Sequence, residues 1–163
     1  MAKSLKNKIF EEIEITDLAA EGKAISRIDN YVVFTRNDTV PGDVVDLQVS
    51  RQKRNYLEAF PIKFHKYSEK RTKPFCKHFG FCGGCKWQNL KYNEQLKYKE
   101  KQVKDNLSRI GKVIYKEINP IIPAKNTEFY RNKLEFTFSN KRWLIQKEID
   151  SQEDIEDRNA LGF

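Results

Sequence analysis

Three cysteines, seven glycines and no long apolar run set the first limits on this chain of 163 residues. An odd number of thiols cannot all pair within one chain, so a disulfide framework is not what holds the fold, and free thiols imply a reducing compartment. No stretch approaches the roughly 20 apolar residues that cross a bilayer, and the opening MAKSLKNKIFEEIEI puts no apolar segment behind its basic residues. The expectation is a cytoplasmic protein with no membrane partner. The glycines form no cofactor-binding loop, and the chain shows neither an internal repeat nor a low-complexity tract. What is present is 39% hydrophobic residues, enough for one ordinary domain or two small ones.

Charge is unevenly spread. Residues 1–62 hold 9 basic and 10 acidic side chains, residues 63–116 hold 15 and 4, and residues 117–163 hold 7 and 9. The balances are −1, +11 and −2, so the middle third carries the whole net charge of +8. A lysine-rich run often marks only a solvated face. Here the cations are interleaved with Phe64, Tyr67, Phe75, Phe79, Phe81, Trp87, Tyr92 and Tyr98. Cations for phosphates and flat rings for bases together describe a single-strand nucleic-acid surface, which makes nucleic acid the leading partner.

From Ile13 to Phe64 the chain reads as short strands rich in Val, Ile, Phe and Tyr: residues 13–15, 23–28, 31–35, 44–49 and 55–64. Asp29-Asn30 suits a tight hairpin, and Val40-Pro41-Gly42-Asp43 has the central residues of a type II turn. Five strands in about fifty residues predict a small OB-like barrel over residues 1–64, a fold whose face and loops bind oligonucleotides. Arg51, Lys53 and Arg54, beside Tyr56, crowd the last hairpin and are candidate RNA contacts.

Residues 65–163 are expected to form a second, α+β region, which makes the whole mainly β with some α. Tyr92, Leu96, Val103, Leu107 and Ile110 fall on one face of a helix near 92–110, with Gly111 placed for a left-handed cap. Lys97, Lys101 and Lys104 form a stripe beside that face, available to phosphates or to pairing with Glu94 and Glu100. Further on, Leu134, Phe136 and Phe138 alternate with polar residues, and a turn at Asn140-Lys141 would lead to a second strand, Trp143 to Ile149. The acidic SQEDIEDRN that follows reads as a loop facing away from RNA.

The run FCKHFGFCGGCKWQ holds every thiol: Cys76, Cys82 and Cys85. Such clustering points to metal ligation. Gly83 and Gly84 permit a tight turn between the last two thiols. Three thiolates and one remote ligand fit an iron-sulfur cluster; three thiolates and a histidine fit zinc, with His78 nearest but awkwardly close to Cys76.

The stretch FCKHFGFCGGCKWQNLKYNEQLKYKEKQV, then LSRIG and FYRNKLEFTF, resembles the RNA uracil-5-methyltransferases that begin with a TRAM domain. In that family C-x5-C-G-G-C-x-x-Q carries three ligands of a 4Fe-4S cluster, and Cys76, Cys82, Cys85 and Gln88 match in register. EGKAISRIDNYVVFTRNDTVPGDVV is similar to the TRAM barrel. The resemblance implies RNA as partner, ribosomal RNA in particular, a monomer, and S-adenosylmethionine as the methyl donor of the complete enzyme. It also suggests Tyr130, Arg131, Asn132 and Lys133 as a grip on the RNA.

The family's fourth cluster cysteine, its cofactor fold and its catalytic cysteine have no match here, so the chain resembles an amino-terminal portion, incomplete at its carboxyl end and inactive alone. Two other classes stay open: a non-catalytic zinc RNA-binding module, and a basic ribosome-associated structural protein. A radical methylthiotransferase is disfavoured, because its cysteine spacing differs.

Overall fold

The computed structural model describes residues 4–35, 38–130, 132–151 and 154–162. Six strands make one sheet: β1 (Ile9–Glu14), β2 (Asp17–Leu18), β3 (Ala24–Ile28), β4 (Tyr31–Thr35), β5 (Val44–Gln52) and β6 (Tyr56–Lys66). Their order is β1-β5-β6-β4-β3-β2. β1 and β2 are halves of one bent strand, since Ile9 to Glu14 pair with β5 while Asp17 and Leu18 pair with β3. Both edges of the sheet therefore belong to the same stretch of chain, and the sheet closes on itself. Counted so, there are five strands, with β4 and β6 parallel and the other pairs antiparallel. This is the OB-like barrel expected from the strand spacing.

Alternation drives the closure. In β3, Ala24, Ser26 and Ile28 point inward while Ile25 and Arg27 do not, and β4 buries Val33 and Thr35. Ile15, Val33, Val45, Leu47, Val49 and Leu57 are fully buried and form the middle of the core. The expected turns are present. Asp29 sits at φ 49 in the two-residue link between Ile28 and Tyr31. Asp43 N–H donates to the Val40 carbonyl at 3.1 Å, with Gly42 at φ 95. β1 extends four residues ahead of the predicted strand and carries a bulge at Glu12, φ 51, whose amide donates to the Asp46 carboxylate at 2.9 Å.

Beyond the barrel, α1 (Tyr92–Asp105) runs into one π turn, Asn106–Ile110. The predicted left-handed cap at Gly111 is corrected: Gly111 has φ −73, and Lys112 takes the positive φ of 49. Gly111 matters for room instead, because a Cβ there would lie 3.2 Å from the Leu107 carbonyl. The helix also docks differently from its apolar stripe. Val103 and Ile110 are exposed, whereas Tyr98, with Trp87, packs against the barrel core, and Leu90 is buried within it.

The distal strands are corrected too. Only β7 (Thr137–Ser139) forms, and it pairs with β8 (Ala160–Gly162) rather than with residues 143–149. Those residues run instead into α2 (Gln146–Ser151). The cause is local: Glu148 accepts the Ile145 N–H at 2.9 Å, capping the first turn, while Arg142 forks onto the same carboxylate at 2.7 and 3.0 Å.

Candidate nucleic-acid interface and cysteine loop

The β5–β6 hairpin is closed by Lys53 N–H donating to the Tyr56 carbonyl at 2.9 Å. Arg51, Lys53 and Arg54 are exposed around its tip. None of them has an ion-pair partner among the described residues. Tyr56 leaves the tip half-buried, its ring edge-on to Phe34 at 5.5 Å. The hairpin thus brings together the four residues that the sequence proposed, three cations and a ring.

The helix lysines are arranged differently. Lys97 pairs with Glu94 at 2.5 Å, Lys104 pairs with Glu100, and Lys101 bonds both Asp105 at 3.2 Å and Asp17 of β2 at 2.6 Å. The bond to Asp17 is the main cause of an ammonium pKa raised above its usual value at Lys101, as the bond to Glu100 is at Lys104. All three cations are engaged within the molecule, and one of them ties α1 to the barrel.

That tie is one of several. Arg71 donates to both oxygens of Asp43, at 2.8 Å from Nε and 2.6 Å from Nη2, and also to the Asp38 carbonyl at 2.7 Å. Asp43 is fully buried, and its carboxylate also accepts the Val40 and Ser68 amides. The Arg71 guanidinium lies over the rings of Phe64 and Tyr67 at 5.3 and 5.2 Å. Gly22 completes the contact. A Cβ on it would meet Lys86 Cβ at 2.7 Å and Trp87 Nε1 at 2.8 Å, so only glycine lets the loop after β2 approach the cysteine segment this closely. Neither Arg71 nor Gly22 was singled out in the sequence; a lone arginine just past the last barrel strand was the available signal.

The cysteine loop is a run of turns. Phe79 N–H donates to the Cys76 carbonyl at 3.2 Å and Cys82 N–H to that of His78 at 3.0 Å. Gly80 and Gly83 use positive φ, 92 and 73, while Gly84 does not. Gln88 Oε1 accepts the Cys76 N–H at 3.2 Å, which gives the glutamine of the motif a role in closing the loop. All three thiols are free; Cys76 and Cys82 are half-buried and Cys85 is exposed.

Among the described residues no three His, Cys, Asp or Glu side chains are gathered into a metal-holding group. In kind, the donors still suit an iron-sulfur cluster: three unpaired thiols on one loop, with space beside the left-handed Gly83, would leave one ligand to come from elsewhere.

An open cleft of about 680 Å³ separates Cys82, Gly83, Gly84 and Lys86 from Lys133, Leu134, Glu135 and Trp143. Lys133 pairs with Glu135 at 2.9 Å, Tyr130 and Asn132 are exposed, and Arg131 lies outside the described residues. The Phe75 and Phe129 rings, 6.1 Å apart, bring this second predicted grip beside the cysteine loop. No helix among the described residues is long and apolar enough to cross a membrane.

Residues 10–62 match the TRAM domain. The chain is 57% identical over 146 residues to a protein of Bacteroides thetaiotaomicron named uncharacterized RNA methyltransferase, a match covering 90% of this chain and 32% of that protein. Proteins of the same name from Porphyromonas gingivalis and Chlorobaculum tepidum are 50% and 40% identical, each over 93% of this chain and over 33% and 32% of their own lengths. The chain spans about a third of the length of these relatives. It therefore carries a TRAM domain, and over nine tenths of its length it is similar to part of proteins named RNA methyltransferases.

Proposed function

We propose that these residues are the RNA-gripping and cluster-carrying portion of an enzyme that methylates carbon 5 of a uridine in ribosomal RNA. The observation that carries the reading is the similarity over 90% of the chain to proteins named RNA methyltransferases. The TRAM barrel and its cationic hairpin, unpaired among the described residues, support the choice of RNA. Cys76, Cys82 and Cys85 would hold a 4Fe-4S cluster, with the fourth ligand outside this chain. Its role would be to order a loop whose neighbourhood holds few buried apolar side chains.

Methyl transfer to uracil carbon 5 would need a thiolate adding at carbon 6, a sulfonium methyl donor such as S-adenosylmethionine that leaves as its thioether, and a base whose removal of the carbon 5 proton expels the thiolate from carbon 6 again. Those parts are assigned to the remainder of the larger protein, and this portion alone is taken to be inactive. Its own residues would bind the RNA and hold the target nucleotide out of its stack, because the reacting atoms are hidden inside a helix.

The test is genetic and chemical together. Ribosomal RNA from a strain lacking the gene, digested to nucleosides, should lose 5-methyluridine, and the larger protein purified without oxygen should contain iron and sulfide. Unchanged 5-methyluridine would overturn the assignment of base and atom. Stoichiometric zinc in protein made with ample iron would replace the cluster by a zinc site.

A further inference from the structure

We infer that Gln88 and Trp87 are positioning residues that pin the two ends of the cysteine loop, at Cys76 and Cys85, to the barrel, and that Cys82 is carried between them on an arm free to close. The inference rests on the metal reading of the three thiols above and specifies how this chain's own residues present them.

The loop hangs from a short stem. Arg71 and Leu90 face each other as an antiparallel bridge, Thr72 N–H donates to the Asn89 carbonyl at 3.0 Å, and Lys91 N–H donates to that of Lys70 at 2.9 Å. Leu90 is fully buried in the barrel core, so the stem cannot shift without opening that core. On the carboxyl side the anchoring reaches the residue next to Cys85. Gln95 Nε2 donates to the Trp87 and Leu90 carbonyls at 2.9 and 2.8 Å, and Lys86 and Trp87 press on Gly22, which has no room for a Cβ. On the amino side the tie is Gln88, whose Oε1 accepts the Cys76 N–H at 3.2 Å across 12 positions. A side-chain carbonyl bonded to that amide fixes the Cys76 backbone and leaves its thiol free.

Between the pinned ends the chain is tied to itself. The hydrogen bonds described for residues 77–84 run from the Phe79 amide to the Cys76 carbonyl and from the Phe81 and Cys82 amides to that of His78, all within the loop. Gly80 and Gly83 bracket Cys82 at φ 92 and 73, and a Cβ on either would meet nothing within 4 Å. Phe81, the apolar side chain beside Cys82, is 60% exposed and gives the arm little packing. The three thiols are not gathered into one metal-holding group among the described residues, so a ligand shared by all three requires at least one of them to move. Glycine changes its backbone region without a Cβ penalty, and open space surrounds both glycines. Cys82 is therefore the thiol that moves at least cost, toward two that the barrel holds in place.

The experiment is a Cd2+ titration of the whole chain, reduced and without oxygen, followed by thiolate-to-metal ultraviolet absorption and by amide chemical shifts. Bound Cd2+ should shift the Phe79–Gly84 amides strongly and leave those of Asn89, Leu90 and Lys91 near their metal-free positions. Gln88→Ala and Gln88→Leu, the second keeping side-chain volume without its acceptor, should each weaken Cd2+ binding about tenfold and speed hydrogen exchange at the Cys76 amide. Gln88→Glu, which keeps an acceptor oxygen at the same reach, should retain most of the affinity and the protection. Cd2+ binding that survives both acceptor-less variants, or shifts at Asn89–Lys91 as large as those at Phe79–Gly84, would overturn the inference while leaving the thiols as metal ligands. A barrel melting temperature that falls in step with affinity in both variants would make Gln88 a folding residue and overturn its assignment. A parent chain that takes up no Cd2+ through its thiols would remove the metal reading itself.

Discussion

Residues up to Glu94 and residues beyond it fold by different means. The first stretch contains all twelve buried Ala, Val, Leu and Ile side chains among the described residues, eleven in the barrel and Leu90 docked against it. Beyond Glu94 no described residue is buried. There Ile114 is 99% exposed, Ile122 90%, Phe129 94% and Trp143 82%, so the order seen comes from local devices: an Arg–Glu fork, a two-strand pairing and tethers to α1. A closed sheet needs no partner to bury its inner face, whereas a short hairpin and a six-residue helix cannot bury theirs. Stability should therefore be concentrated in the barrel and its welded neighbour.

The largest expected effect tests that concentration directly. Leu57→Ala removes a fully buried side chain and should cost roughly 3 kcal/mol, whereas Ile122→Ala should stay within about 0.5 kcal/mol. Chemical denaturation of both variants measures the contrast, and equal costs would abolish it. Next is the weld. Arg71→Ala would leave the fully buried Asp43 carboxylate without its cation and should cost on the order of 3 kcal/mol. Amide exchange should then rise at Ser68, Asn89 and Leu90 before it rises in β3 and β4. Uniform exchange would mean that barrel and cysteine segment unfold as one unit regardless of this pair.

A smaller effect is expected at Gly22, with φ 75 and no room for a Cβ. Gly22→Ala should cost about 1–2 kcal/mol, and Trp87 fluorescence should report a loosened contact while the barrel's circular dichroism is kept. An unshifted tryptophan signal would show that the loop can relax without disturbing the cysteine segment.

How much of this was legible depends on where the information lies. The barrel was readable because each strand carries its own alternation and its turns carry their own residues: Ala24-Ile25-Ser26-Arg27-Ile28 announces an inward face, and Pro41-Gly42 a turn, without reference to anything distant. The hairpin cations were readable for the same reason. Lys101 was not, since its partner Asp17 is 84 positions away and nothing local distinguishes it from Lys97. Trp143 to Ile149 misled because a short apolar run suits a strand or a helix equally. The decision came from Arg142 and Glu148, which lock the helix start, and from Ala160–Gly162, which took the strand's place beside β7. The clustering of the thiols suggested metal ligation, a matter of composition that left the arrangement of the loop to the structure.

The smallest prediction concerns that Arg142–Glu148 lock, and it asks whether the distal region has an ordered element of its own. The Glu148 pKa is lowered from 4.5 to about 2, first by the Arg142 hydrogen bonds and then by the Ile145 amide, with desolvation opposing both. A depressed carboxylate contributes stability that is fully present above its unfolded value and is lost as pH falls through its folded value. The start of α2 should therefore hold at pH 6 and give way between about 4.5 and 2, a window set by those two values. Asp46 is lowered as well, by the Glu12 amide first, so the barrel also weakens in acid. The two contributions separate by residue: carbon chemical shifts at Ile145 and Glu148 follow the helix start, and those at Glu12 and His65 follow the bulge. Glu148→Gln should abolish the first titration and leave the second intact. If Ile145 instead reports a midpoint near 4.5 in the parent, the fork is not formed in solution, and the start of α2 has lost the charged device that holds it.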